Sequence, residues 1–360
     1  MRYLIFIAAF AITLQLLLVL RRLAPRIGLL DTPGGRKDHQ GAVPLVGGLA
    51  MFIGFAFSLL LMQESLGPLR ALVAGATLVV VVGVLDDLNE LSSLSRFVVQ
   101  IAAALMMVFW GGVELNDLGY LVSADRLAEL GPWSVALTVF STVGVINALN
   151  MIDGVDGLAG SVTGLALAAL ILVALLGGDG VAASVLGTLL AAVAAFLLLN
   201  LRLPWQPRAR VFMGDAGSMF LGFVLAWYLI DFSQGEDRLI SPVTALWLLG
   251  VPLIDTVTSM LRRVLKKSSP FKPDREHVHH ILQLAGFSPR ATLGIMFGVS
   301  VLLAAVGLGA HYAGVPEWVM FYAFLALFAF HFLLMRRAWR VMRFLKRSLD
   351  RRHLPDRRRY

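Results

Sequence analysis

No cysteine occurs among the 360 residues, which excludes a disulfide framework, a zinc–thiolate centre and a thiol nucleophile. Charge is scarce as well. Asp, Glu, Lys and Arg make up 15% of the chain against 58% hydrophobic residues, and the mean hydropathy is +0.79. Soluble domains carry about 25% charged residues, so this balance excludes an ordinary water-soluble protein. No polar stretch between the apolar runs is long enough for a sizeable soluble domain. A formal charge of +8 raises the question of nucleic acid, but the cations gather at the ends of apolar runs. Membrane topology accounts for them there, and no nucleic-acid partner is expected.

What the chain does have is repeated apolar length. About 20 apolar residues cross a bilayer as a helix, and eleven stretches qualify, near 2–21, 45–63, 69–86, 96–113, 133–149, 158–176, 181–200, 211–231, 242–262, 292–311 and 317–335. The expected fold is an all-α polytopic membrane protein with eleven transmembrane helices. The first run, Tyr3–Leu20, has only Arg2 ahead of it and Arg21-Arg22 behind it; that flank predicts an uncleaved span with its N-terminus outside. On this threading only Arg2, Arg70, Arg126 and Arg238 lie outside, and the other 27 of the 31 Lys and Arg lie inside. The C-terminus is then cytoplasmic. Residues 1–335 read as one integral membrane catalytic domain, and 336–360 as a basic cytoplasmic tail that anchors near anionic lipid.

The same threading puts the chemistry on one face. Residues 147–157 read Asn-Ala-Leu-Asn-Met-Ile-Asp-Gly-Val-Asp-Gly. Asn147, Asn150, Asp153 and Asp156 recur every three residues, so at a helix end each neighbours the next. Asp86 and Asp87 end the third apolar run, and Asp215 opens the eighth within Gly-Asp-Ala-Gly-Ser. Helix capping is the alternative use of the Asp pair and of Asp215. Taken together, five acids on one face without a thiol select Mg²⁺ or Mn²⁺ and phosphate chemistry. The last inner loop holds Lys272, Arg275, His277, His279 and His280. Zinc would want a fourth ligand at a recognisable spacing, so the cluster better suits phosphate oxygens, with a merely solvated loop the alternative. Asp255, inside the ninth run, is a functional suspect as an intramembrane acid, with helix–helix packing the alternative. A transporter would spread acids through its span centres, and only Asp255 does so. The phosphatidyltransferase pattern begins at Asp153 but breaks at Gly160 and Ser161, where Ala and Arg would stand.

Four motifs in order carry a resemblance: Asp86-Asp87, the Asn-x-x-Asn-x-x-Asp-Gly-x-Asp-Gly ladder, Phe-Met-Gly-Asp-x-Gly-Ser at 212–218, and His-x-His-His at 277–280. The chain resembles the polyprenyl-phosphate N-acetylhexosamine-1-phosphate transferases, from Gly28-Leu-Leu-Asp-Thr-Pro to Pro316-Glu-Trp-Val-Met. Its histidine loop is similar to the amino-sugar branch rather than to the branch that uses UDP-N-acetylmuramoyl-pentapeptide. The resemblance implies a bacterial cytoplasmic-membrane enzyme with a cytoplasmic cleft. It would move N-acetylglucosamine-1-phosphate, or another N-acetylhexosamine phosphate, from its UDP-sugar to undecaprenyl phosphate and release UMP. It implies Mg²⁺ or Mn²⁺ on Asp215 and Asp87, catalytic roles for Asp86, Asp87, Asp153 and Asp156, and substrate contacts from Asn147, Asn150, Lys272, Arg275, His277, His279 and His280. Glu90 stands where the family usually has a further Asp, which puts a metal role there in doubt. An aspartyl-phosphate intermediate is the competing mechanism. The oligomeric state is left open, a homodimer included.

Overall fold

A computed structural model describes residues 2–31, 41–63, 65–267, 269, 277–337, 340, 342 and 343. Lys272 and Arg275 lie outside the described residues, as does most of the basic tail. The described chain is helical almost throughout. In order the helices are α1 (Arg2–Ile27), α2 (Gly47–Leu59), α3 (Arg70–Asn89), α4 (Ser93–Phe109), α5 (Ser134–Ile152), α6 (Leu158–Leu176) and α7 (Gly180–Asn200). There follow α8 (Gly214–Asp231), α9 (Pro242–Leu248), α10 (Gly250–Leu265), α11 (Val278–Leu284), α12 (Pro289–Tyr312) and α13 (Glu317–Arg336).

Seven of these helices are long and apolar enough to cross a membrane, or up to eight if α9 and α10 form one broken span. Helices α2 and α4 are apolar but shorter. The chain is thus a multi-pass membrane protein. Every one of the eleven apolar stretches is helical, and the ninth departs from expectation by breaking at Leu249 into two helices bent by 86°. Pro252 sits in the first turn of α10, where a proline costs no hydrogen bond.

Local signals start the helices. Ser92, Asp179, Ser241 and Ser288 each accept a backbone N–H from the first turn of α4, α7, α9 and α12, satisfying donors that a helix leaves unpaired. Helix α8 is buried on every side from Ala216 to Ile230, the pattern of a helix wholly enclosed by others. It packs on α2, α3 and α5, with Phe220 against Phe52 and Phe55 of α2, while Phe223 and Trp227 meet along α8 itself.

A small backbone scaffold holds the approach to α8. Strands β1 (Leu30–Asp31) and β2 (Val43–Pro44) pair antiparallel, Leu30 with Pro44 and Asp31 with Val43. Phe212 N then donates to Pro44 O (2.8 Å), and Gly47 N and Gly48 N donate to Phe212 O and Met213 O (2.9 Å each). The residues just before Asp215 are therefore pinned by backbone hydrogen bonds. At the far end of the bundle, Arg238 bridges Asp117 (3.4 Å) and Glu317 (2.8 Å), tying the 112–132 loop to α13.

Candidate active site

Three helix ends converge: the C-terminal ends of α3 and α5 and the N-terminal end of α8. Asp87 on α3 caps α8 across 128 residues, its Oδ1 accepting from Asp215 N (2.8 Å). Its Oδ2 accepts from Ala216 N (3.3 Å). A carboxylate there meets the unpaired donors and the positive end of the helix dipole. Gly214 makes the approach possible: its φ is +72°, and a Cβ would collide with the Asp87 carboxylate. The expected alternative for Asp215, capping its own helix, is filled by Asp87 instead.

The buried Asp86 takes Leu91 N on Oδ1 (2.6 Å) and Arg96 Nη1 on Oδ2 (3.0 Å). The same Arg96 nitrogen reaches Asp215 Oδ2 at 3.0 Å, so one guanidinium bridges two acids. Asn150 Nδ2 donates to Asp215 Oδ1 (2.6 Å) and to Ser218 Oγ (2.9 Å). Asp86, Asp87, Asn150 and Asp215 thus form one network, and Arg96, one of the 27 inner basic residues that the sequence reading gave no role of its own, joins it.

Asp153 caps α5 at the same end. Among the described residues no donor bonds its carboxylate. Burial, then the like charges of Asp215, Asp87 and Asp156, push its carboxyl well above the usual range. Asp156 faces elsewhere, its Oδ2 accepting from Arg202 Nε (2.6 Å) and Ala209 N (3.2 Å). It ties the α5–α6 turn to the α7–α8 loop, beside Asn200, which accepts Gly157 N at 2.7 Å. Asn147 also stands apart: its amide donates to Gln100 Oε1 (2.7 Å) and Val143 O (2.8 Å). Glu90 is exposed in a left-handed cap conformation, φ 49°, and among the described residues no hydrogen bond or ion pair joins its carboxylate to the network.

The histidines return to this place from far along the chain. His279 is buried, and its Nε2 fills the space above Gly154, 2.5 Å from where a Cβ would stand. His277 stacks on His279 with ring centroids 5.8 Å apart and planes 6° from parallel. His280 packs on His279 at 4.2 Å. Burial, with His280 next, pushes the His279 imidazole down to about 3, so the ring is neutral at physiological pH. Among the described residues its buried Nδ1 has no hydrogen-bond partner. An unpaired acceptor is tolerated better than an unpaired N–H, which assigns the proton to Nε2, the nitrogen beside Gly154.

Among the described residues no three carboxylate or imidazole groups close around a common point as a ready metal cage. Donor chemistry nevertheless fits a hard divalent cation: the converging ligands are carboxylate oxygens, no thiol is present, and Asp153 is crowded by like charges that a cation would offset. Among the described residues no fourth soft ligand of the kind zinc requires stands with the histidines. A separate apolar cavity of about 240 Å³ is lined by residues such as Leu118, Val145, Leu229 and Leu246, none of them from the acid network.

Comparison with known proteins shows what the chain is similar to. The family described as glycosyl transferase family 4 matches residues 69–233, the span that runs from before Asp86 to beyond Asp215. The undecaprenyl-phosphate alpha-N-acetylglucosaminyl 1-phosphate transferase of Escherichia coli (strain K12) is 39% identical over 342 residues, covering 95% of this chain and 93% of its own. The protein of the same name from Salmonella typhi is 40% identical over 342 residues with the same coverage. That from Haemophilus influenzae is 37% identical over 331 residues, or 92% and 93% of the two chains.

Proposed function

The chain belongs to glycosyl transferase family 4, and from that premise we propose that it transfers N-acetylglucosamine-1-phosphate from UDP-N-acetylglucosamine to undecaprenyl phosphate, releasing UMP. It is a phosphoglycosyl transferase whose lipid-linked product would initiate O-antigen or a related surface polysaccharide. It would work in the bacterial cytoplasmic membrane with the α3, α5 and α8 cluster on the cytoplasmic side, the N-terminus outside, and the eleven apolar stretches crossing. The observation that carries the reading is the single network of Asp86, Asp87, Asn150 and Asp215 with Arg96, faced by His279 over Gly154.

In this reaction a lipid phosphate oxygen attacks the β-phosphorus of the sugar nucleotide. A new O–P bond forms, the bond to the bridging oxygen breaks, and the electron pair leaves on the α-phosphate of UMP. A phosphate monoester has its second pKa at about 6, so the nucleophile needs no strong base. Asp215 and Asp87 would hold Mg²⁺ or Mn²⁺; when bound, the ion neutralises charge on the pyrophosphate oxygens. Arg96 and Asn150 fix the Asp215 carboxylate by hydrogen bonds to its two oxygens, so its geometry costs no reorganisation. Asp153 is suited to take up or release a proton, since burial, then the like charges of its neighbours, hold its carboxyl above the ordinary range. His279 offers a neutral Nε2–H as a donor to sugar or phosphate oxygen. Asp156 and Asn147 contribute by holding the ladder in place through Arg202 and Gln100.

Purified chain in lipid nanodiscs, given undecaprenyl phosphate and a panel of UDP-sugars, tests this reading. Mass analysis should find an N-acetylhexosamine-pyrophosphate lipid, formed preferentially from UDP-N-acetylglucosamine. Formation of no lipid-linked sugar from any member of the panel would overturn it.

A further inference from the structure

We propose that Asp255 is a positioning residue: from the broken ninth span it holds the turn that sets His279 against Gly154. The proposal rests on the reading above that the histidine loop serves the sugar nucleotide. Asp255 lies on α10 and is 2% exposed. A carboxylate so buried is costly unless its oxygens are hydrogen-bonded. Its partners identify its task. Oδ2 meets His277 Nδ1 at 2.9 Å, and Oδ1 accepts from Val278 N at 3.2 Å.

Both oxygens are therefore committed to two consecutive residues at the start of α11. His277 is the N-cap of that helix and makes no side-chain cap of its own; Asp255 supplies the missing acceptor from another helix. An ionised carboxylate can only accept, so Nδ1 of His277 carries the proton and the ring is fixed in orientation as well as place. That ring lies parallel to His279, and His279 in turn occupies the space over Gly154, the neighbour of Asp153. A continuous chain of contacts thus runs Asp255, His277, His279, Gly154. Packing between helices, the alternative reading of an intramembrane acid, would leave these two directed contacts unexplained.

The test uses the full-length chain in lipid nanodiscs with Asp255→Asn, His277→Gln, the double variant and Asp255→Glu. Removing a hydrogen bond to a charged group commonly costs on the order of tenfold or more. Asp255→Asn should lower kcat/KM for the UDP-sugar by about that factor and leave KM for the lipid phosphate unchanged. His277→Gln should do the same, and the double variant should be no worse than the worse single one, because the two residues act in series. Asp255→Glu should recover part of the loss. Losses that multiply in the double variant, or a change confined to KM for the lipid phosphate, would overturn the proposal.

Deuterium uptake supplies a readout that needs no turnover. Peptides covering 277–284 should exchange faster in Asp255→Asn, and peptides from α6 and α7 should not change. Unaltered uptake in 277–284 would overturn the anchoring. Should Asp255→Asn fail to accumulate in the membrane, Asp255→Glu carries the same comparison, with intermediate uptake expected and unaltered uptake again overturning it. A wild type that transfers nothing from any UDP-N-acetylhexosamine would refute the proposed function alone, since uptake still decides the role of Asp255.

Discussion

Replacing Arg96 with Met removes the only cation that the described residues place between Asp86 and Asp215. Met keeps much of the apolar stem, so the loss is electrostatic more than steric. The Arg96 side chain is 32% exposed and that of Asp86 4%, so the bridge lies between two regimes. Exposed pairs contribute about 0.2–1 kcal/mol, and breaking a buried pair costs about 3–5 kcal/mol. For one guanidinium nitrogen serving two carboxylates in this setting, a destabilisation of about 2 kcal/mol follows. The variant leaves Asp86 with Leu91 N and Asp215 with Asn150, while Asp87 and Asp153 stay close by. Thermal unfolding in nanodiscs with a chelator present should show Tm lower by several degrees, and millimolar Mg²⁺ should restore part of the loss by replacing the missing positive charge. An unchanged or raised Tm in chelator would refute the reasoning, because it would mean the acids do not need Arg96 to coexist.

Three further outcomes follow from the same geometry. Asp215→Asn should insert normally yet lose activity by orders of magnitude, since the amide keeps shape but removes a charge needed for the ion; near wild-type turnover at saturating Mg²⁺ would reduce Asp215 to a structural role. Asp153→Asn should raise the Tm of the metal-free protein at neutral pH while reducing turnover. A carboxyl whose folded pKa is raised favours the fold below its unfolded pKa and loses that contribution as pH rises through the folded value, so the wild type should weaken with rising pH more steeply than the variant; parallel curves would contradict the assigned crowding. Because the chain has no cysteine, single-cysteine labelling has no background: Glu236→Cys should react with an impermeant reagent from outside, and Trp205→Cys only after permeabilisation. The reverse pattern would contradict a cytoplasmic site.

Much of the architecture was legible in the sequence because membrane spans are written as continuous apolar length. Each of the eleven apolar stretches holds helix, although only seven or eight of the helices are long and apolar enough to span, and Asp86, Asp87, Asp153 and Asp215 fell at helix ends, as the cost of burying them in lipid requires. The break at Leu249 was not legible, since the run on both sides is apolar and hydropathy carries no direction; Pro252 was the one local signal. The strand pairing of Leu30–Asp31 with Val43–Pro44 was hidden for another reason, being two residues deep and held by the Phe212 segment. Partners were the hardest to read. Arg96 and Asp215 are 119 residues apart, Arg202 and Asp156 are 46 apart, and Asp255 and His277 are 22 apart. No spacing rule predicts such pairs. Asn147 and Asp156 share the three-residue period of Asn150 and Asp153, yet Gln100 and Arg202 draw them to other neighbours.

The most direct measurement identifies the nucleotide that leaves. Wild-type chain in nanodiscs with UDP-N-acetylglucosamine, undecaprenyl phosphate and Mg²⁺ should release UMP in amounts equal to a lipid product joined through pyrophosphate, and added UMP should drive that product back. Release of UDP with a sugar joined through a single phosphate would show glycosyl rather than phosphoglycosyl transfer, and would contradict the assignment of this acid network.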